Sequence, residues 1–172
     1  GKIGGIYLED EIFRFWKACV KVIPNFKVLF LSGYSDENLK KRCKELELDK
    51  EIIHKMFVPH KDVAKHMSVA DFALNPVKPL PTKRYCTSIK DGEYWAMGLP
   101  VVITPNISDL IESRRLGVIL ASFDDAALEK AAQNIYGLLQ SDKTRIKKEA
   151  RELATQTRSI SEQASIYKEI YS

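Results

Sequence analysis

Residues 88–102 have the sequence Ser88-Ile-Lys90-Asp-Gly-Glu93-Tyr-Trp-Ala-Met-Gly98-Leu-Pro-Val-Val102. This pattern predicts a loop, a helix over 89–97, a tight turn at Gly98 and a buried strand. Ser88 and the unpaired backbone N–H groups around Lys90 would form a helix N-terminus, which favours an anion. Glu93 lies about one turn inside the helix, where its carboxylate can accept hydrogen bonds from two ribose hydroxyls. A nucleoside-diphosphate site fits these residues, and so does a plain N-cap followed by a solvated glutamate.

Strand-like and helix-like patterns alternate along the rest of the chain. Strands are predicted at 27–31, 52–59 (centred on 56–58), 71–76, 100–104 and 117–120, and helices at 9–23, 36–46, 61–68, 89–97, 108–115, 124–140, 142–154 and 161–171. Short βαβ units of this kind predict a Rossmann-like α/β fold, a parallel sheet with helices on both faces. Such sheets bind ligands at the carboxyl ends of their strands, so Gly33, Val58, His60 and the loop 78–88 become candidate site residues.

Composition excludes several classes of protein. The chain has 172 residues, 45% of them hydrophobic and 29% charged, which predicts one folded domain. The net charge of +4 comes from basic residues interleaved with acidic ones, unlike a nucleic-acid interface. Cys19, Cys43 and Cys86 form no CxxC pair, which argues against a zinc site or a disulfide framework and favours a cytoplasmic location.

Four stretches carry a resemblance to GT-B glycosyltransferases, close to family 4. Glu93–Val102 resembles the family's E-x-x-A-x-G-x-P-V-V segment, and Ser88–Tyr94 resembles the S-x-K-x-x-E-Y form found in bacterial surface-polysaccharide synthesis. Phe26–Gly33 and Ala70–Pro76 are similar to two of the family's strands, and Gly1–Tyr7 is similar to the start of its donor-binding domain. The resemblance covers nearly the whole chain in the family's order.

The resemblance implies that residues 1–172 are the donor-binding, carboxy-terminal half of a retaining glycosyltransferase. Such an enzyme transfers a hexosyl or similar group from a nucleoside-diphosphate sugar, and we expect this half alone to be inactive. The chain starts with Gly1 instead of methionine, which fits a piece of a longer protein. The expected partners are the nucleotide-sugar donor and an amino-terminal acceptor domain, with residues 155–172 forming a helix that packs toward that domain. Peripheral association of the full enzyme with the inner face of the membrane is a further expectation.

The resemblance also assigns roles to individual residues. Glu93 would hold the donor ribose, and Val58 would offer backbone groups to the base. The turn at Gly4 and Gly5 would let the backbone approach the diphosphate. Lys2 and Lys90 would stabilise the departing phosphate. No cofactor or bound metal is expected.

The sequence departs from the family pattern at two places. Tyr85 stands where family 4 often has a second glutamate, so Thr87 or backbone amides become the candidates for holding the sugar. The segment Leu8-Glu9-Asp10 is acidic where a second basic residue is usual, which leaves the phosphate contacts to Lys2 and Lys90.

Two other classes of protein fit the same fold. A nucleotide-sugar 2-epimerase places catalytic carboxylates and histidines in its interdomain cleft, and this chain supplies few of them. A flavodoxin-like binding or receiver module needs an acidic pocket and a phosphorylatable aspartate at the end of a strand, whereas Asp71 precedes its strand.

Overall fold

The computed structural model describes residues 1–85, 88–105, 116–161, 164, 165 and 168. Helices and strands alternate along the described chain: α1 (Glu9–Val22), β1 (Val28–Leu31), α2 (Asp36–Glu45), β2 (Ile53–Met56), α3 (His60–Met67), β3 (Ala73–Asn75), α4 (Ile89–Ala96), β4 (Val101–Ile103), β5 (Gly117–Ile119), α5 (Asp125–Gln140) and α6 (Lys143–Arg158). Short 3-10 turns cover Lys50–Ile52 and Pro81–Tyr85.

All pairings among the described strands are parallel, which confirms the predicted α/β class. β1 pairs with β2, and β4 lies between β3 and β5. The sequence pattern predicts one sheet, whereas the hydrogen bonds of the described strands form two separate ladders. The two ladders still share one hydrophobic core, because Val28 of β1 and Val102 of β4 belong to the same buried cluster.

The strand β4 shows how the core is arranged on two faces. Val102 points to a cluster that α1 and α5 cover with Phe15 and Ile135. Its neighbours Val101 and Ile103 point to the opposite cluster, which α4 and α6 cover. Because successive side chains of a strand alternate between faces, an unbroken apolar run predicts this double burial. Helices on both faces of the parallel strands are therefore confirmed.

The predicted helix starts agree with their capping residues. The side chains of Ser35, Ser88, Asp124 and Asp142 each accept a backbone N–H from the first turn of α2, α4, α5 and α6. At the other end of α4, Gly98 has a φ of +76°, the left-handed conformation that a side chain disfavours. The turn at Gly98 confirms the predicted stop between α4 and β4.

Some predicted boundaries were wrong. The strand predicted over 52–59 ends at Met56, because Pro59 lies at the N-cap of α3 and cannot extend the ladder. The predicted loop 78–88 contains the 3-10 turn at Pro81–Tyr85, and the helix predicted to end at 154 continues to Arg158. The predicted helix 108–115 and most of 161–171 lie outside the described residues. No helix in the described part of the chain is long and apolar enough to span a bilayer.

Candidate nucleotide-binding site

A cleft of about 440 Å³ opens at the carboxyl ends of β1 and β2. Its lining combines the start of the chain with the residues that follow these two strands: Gly1, Lys2, Ile3, Leu31, Ser32, Gly33, Tyr34, Phe57, Val58 and Val63. Three residues predicted from the sequence, Lys2, Gly33 and Val58, thus lie together in one cleft. This is the edge where a parallel α/β sheet binds its ligands.

The backbone of β1 and β2 determines the shape of one cleft wall. The N–H of Ser32 donates to the carbonyl of Met56 at 3.0 Å, so the two chains stay side by side just beyond the strands. Gly33 then faces Phe57: a Cβ at position 33 would lie 4.0 Å from Cδ2 of the ring. Phe57 is 81% exposed. An exposed ring beside a concave surface offers a flat apolar face for stacking.

Two other predicted residues, His60 and Glu93, come from different helices and lie close together. Nε2 of His60, the first residue of α3, lies 3.7 Å from Oε1 of Glu93 in α4. The His60 side chain is 91% exposed and the Glu93 side chain 42% exposed. Both side chains are therefore accessible to solvent, although neither belongs to the lining of the cleft, to which α3 contributes Val63. The link between α4 and the cleft is Lys90, whose Nζ lies 3.5 Å from a Cβ built on Gly1.

Lys90 lies against the glycine turn at the start of the chain. Its ammonium Nζ is 3.5 Å from the centre of the Tyr7 ring, a cation–π contact. Gly4 and Tyr7 close the turn with reciprocal backbone hydrogen bonds of 3.1 and 3.3 Å. Gly4 and Gly5 have φ values of +86° and +70°, so the predicted turn requires glycine at both positions. Its role in diphosphate binding stays a prediction.

The acidic segment at the start of α1 is held by the cleft wall. The hydroxyl of Tyr34 donates to Oε1 of Glu9 at 2.6 Å. Burial, together with this hydrogen bond, raises the pKa of Tyr34 to about 12, so the phenol remains protonated. The Glu9 carboxylate also lies beside the glycine turn, with Oε2 3.3 Å from a Cβ built on Gly4. An acidic side chain thus lies in the segment where the family usually has a second basic residue.

A buried polar cluster that the sequence analysis missed lies beneath the first turn of α4. Nδ2 of Asn75, the last residue of β3, donates to Oγ of Ser88 at 2.9 Å and to Oδ1 of Asp91 at 2.8 Å. Asp91 is fully buried, and its second oxygen, Oδ2, has no hydrogen-bond partner among the residues that the structure describes. The backbone N–H of Asp91 donates to Oγ of Ser88 at 3.3 Å, which confirms Ser88 as an N-cap.

Two signals pointed to this cluster. Ser88-x-x-Asp91 has the spacing of a capping box, in which an acidic side chain returns to the start of its helix. Asn75 is a polar residue at the end of a buried strand, where an amide needs a partner. Neither signal shows that the two residues meet, because they lie on elements joined by the loop 78–88.

The ionisation of Asp91 gives the stability of the domain a distinct pH dependence. Burial raises the pKa of Asp91 from 3.8 to about 6, against the opposing hydrogen bonds from Asn75 and Ser88 and the charges of Arg158 and Lys90. Between these two values the folded state keeps a proton that the unfolded state has lost, so the free energy of unfolding falls as the pH rises. We expect a loss of about 2 kcal/mol between pH 4 and 6.5.

Urea unfolding at a series of pH values measures this contribution. In Asp91→Asn the loss should disappear, so the difference in the free energy of unfolding between this variant and the wild type changes by about 2 kcal/mol across the range. Asp125 provides a control of opposite sign, because the Arg14 guanidinium lowers its pKa. The stabilisation that Asp125 contributes to the folded state is present above the ordinary aspartate pKa and is lost as the pH falls. Asp125→Asn should remove this pH-dependent stabilisation. Identical pH profiles for the wild type and Asp91→Asn would contradict the expected ionisation.

Two further expectations concern Thr87 and a bound metal. Thr87 lies outside the described residues, so its contact with the sugar stays a prediction. Within the described ranges, no three histidine, cysteine, aspartate or glutamate side chains are grouped so as to hold a metal ion.

The fold and the cleft define a parallel α/β domain with a candidate nucleotide site at the carboxyl ends of its strands. The chain belongs to the family described as glycosyl transferases group 1, whose sequence model matches residues 2–140. Comparison with curated proteins found no significant match.

Solved structures of two glycosyltransferases have the same fold. The sucrose-phosphate synthase of Thermosynechococcus elongatus superposes with a TM-score of 0.73 at 17% identity, covering 98% of this chain and 44% of that protein. WaaG, a glycosyltransferase involved in lipopolysaccharide biosynthesis, superposes with a TM-score of 0.62 at 17% identity, covering 86% of this chain and 40% of that protein. The predicted resemblance to the carboxy-terminal half of GT-B enzymes is confirmed, and the chain spans less than half of either structure.

Proposed function

We propose that this chain is the donor-binding domain of a retaining glycosyltransferase that uses a nucleoside-diphosphate sugar. The observation that carries the proposal is the meeting of Lys2, Gly33 and Val58 in one cleft at the carboxyl edge of β1 and β2. Membership of the glycosyl transferases group 1 family supports a sugar nucleotide as the ligand. The proposed context is the synthesis of a bacterial surface polysaccharide at the cytoplasmic face of the membrane.

The donor would contact both the cleft and α4. The base would lie against Phe57 and the backbone of Val58, where the exposed ring offers a face for stacking and the backbone N–H and carbonyl groups can form hydrogen bonds. The ribose hydroxyls would bind the Glu93 carboxylate, which is accessible beside His60. The apolar ring of Phe57 thus matches the flat base, and the Glu93 carboxylate matches the uncharged hydroxyls of the ribose.

The diphosphate requires positive charge, which two lysines and the first turn of α4 would supply. Lys2 lines the cleft, and Lys90 lies in the first turn of α4, where backbone N–H groups add their partial charge. The Tyr7 ring holds the Lys90 ammonium beside the glycine turn. As the bond from the sugar to the diphosphate breaks, negative charge grows on the departing phosphate, and these cations would stabilise it.

The acceptor would bind a second domain of the complete enzyme. The two solved glycosyltransferases are more than twice as long as the part that this chain matches. We therefore propose that transfer requires a further domain facing the donor cleft, and that this chain alone binds the nucleotide without turning it over.

A thermal-shift panel with uridine, guanosine and adenosine diphosphates tests the proposed function. A ligand that binds only the folded state stabilises it by about 2.7 kcal/mol at a hundredfold excess over Kd. We expect one of the three diphosphates to raise the melting temperature more than the others, since the base contacts Phe57 and Val58. Inorganic pyrophosphate is the matched control, because it carries the charge without the nucleoside. A flat response to all three nucleotides, or an equal response to pyrophosphate, would argue against a donor site.

A further inference from the structure

The polar cluster of Asn75, Ser88 and Asp91 includes the first turn of α4, which also carries Lys90 and leads into Glu93. Residues three apart on a helix share a face, so Lys90 and Glu93 project from the same side. Asp91 belongs to the same turn but projects into the protein, where it is fully buried. The outer side of this turn carries the charged groups, and its inner side is bonded to the end of β3.

The other side of α4 is packed against α6. A Cβ at Gly92 would lie 3.1 Å from Cγ of Arg158, and the guanidinium of Arg158 lies 5.6 Å from the centre of the Trp95 ring. The Trp95 side chain is fully buried. Hydrophobic packing thus holds the body of α4, while the hydrogen bonds of Asn75 join its first turn to β3.

Hydrogen bonds differ from apolar packing in what they specify. Apolar contacts are non-directional and tolerate a small rotation or slide of the helix, whereas the Asn75 amide requires its two acceptors in fixed directions. A buried amide that loses its acceptor also carries a desolvation cost, so the arrangement resists displacement. Asn75 and Asp91 are therefore suited to setting the position of the first turn.

We propose that Asn75 and Asp91 are positioning residues that hold the first turn of α4, and with it Lys90 and Glu93, at the donor cleft. The inference rests on the proposed function for what these two side chains bind. The attachment of the turn to β3 is a separate statement that is tested without any nucleotide.

Amide hydrogen exchange and nucleotide affinity, measured on the same variants, test the proposal. Asn75→Ala removes both hydrogen bonds and should accelerate exchange at Asp91 and Gly92 about tenfold, the equivalent of one hydrogen bond. It should also weaken the affinity for the nucleoside diphosphate that binds the wild type by about tenfold. Exchange in α5 should not change. Asp71→Asn, at the amino end of β3 and away from the cleft, is the control and should leave both quantities as in the wild type.

The reciprocal double variant Asn75→Asp with Asp91→Asn keeps one amide and one carboxylate in contact. If the pair has a positioning role, the double variant restores both the slow exchange and the affinity, which loss of packing does not predict. Three results would each overturn the proposal. The first is unchanged exchange in Asn75→Ala, and the second is faster exchange with unchanged nucleotide affinity. The third is a wild type that binds the nucleotide together with a double variant that does not recover that affinity. If the wild type binds no nucleoside diphosphate, the proposed function fails. The attachment of α4 to β3 is then supported by exchange alone, if Asn75→Ala accelerates it and the double variant slows it again.

Discussion

Replacing Glu93 with glutamine is expected to weaken nucleoside-diphosphate binding by roughly ten- to a hundredfold. The carboxylate can accept a hydrogen bond from each ribose hydroxyl, and hydrogen bonds to a charged group contribute about 1.5–3 kcal/mol. Glutamine has nearly the same shape but no charge and only one acceptor oxygen. Titration calorimetry with the diphosphate that gives the largest thermal shift measures the change, because a loss of about 1.4 kcal/mol corresponds to a factor of ten in Kd.

Glu149→Gln is the matched control for Glu93→Gln. Both residues lie on helices, and their side chains are similarly exposed, at 40% for Glu149 and 42% for Glu93. Glu149 pairs with Arg145 on the surface of α6. We expect its Kd to equal that of the wild type. Equal affinities for Glu93→Gln and Glu149→Gln would show that Glu93 does not hold the ribose.

Gly117→Ala is expected to cause a large loss of stability. Gly117 of β5 is paired in register with Val101 of β4. A Cβ at position 117 would lie 1.9 Å from the carbonyl oxygen of Val101 and 2.9 Å from its carbonyl carbon. These are backbone atoms of a buried strand, so the clash is relieved only if β5 moves away from β4. The free energy of unfolding should fall by about 3 kcal/mol or more, measured by urea denaturation.

Gly137→Ala provides the contrast, because it makes the same chemical change where there is space. A Cβ at Gly137 in α5 would have no neighbour within 4 Å. Alanine favours a helix over glycine by about 1 kcal/mol, so this variant should be slightly more stable than the wild type. If Gly117→Ala were as stable as Gly137→Ala, the close pairing of β4 and β5 at this position would be wrong.

The class of fold was predictable because it depends on short-range patterns. The apolar run Val101–Ile103 predicts a strand buried on both faces, and the core on each side confirms it. Ser88 predicts a helix start because a hydroxyl at that place accepts an N–H from the next turn. The end of β2 was not predictable from Phe57 and Val58, which are good strand formers that lie in the cleft wall instead.

The site was predictable to a lesser extent. Lys2, Gly33 and Val58 were chosen because they border predicted strands or match a motif, and the structure brings them into one cleft. The contact of His60 with Glu93 was not predicted, although both residues were candidates. Their roles in donor binding remain predictions for the experiments above.

Local sequence determines which segments of this chain form helices and strands, since capping, periodicity and turn residues act within one or two turns. Tertiary packing alone decides that Asp91 meets Asn75, sixteen residues earlier in the chain, and that Gly117 lies against Val101. The physical reason is that burial makes each contact selective. An amide without an acceptor or a methyl group without space costs free energy only after the neighbouring element has packed against it.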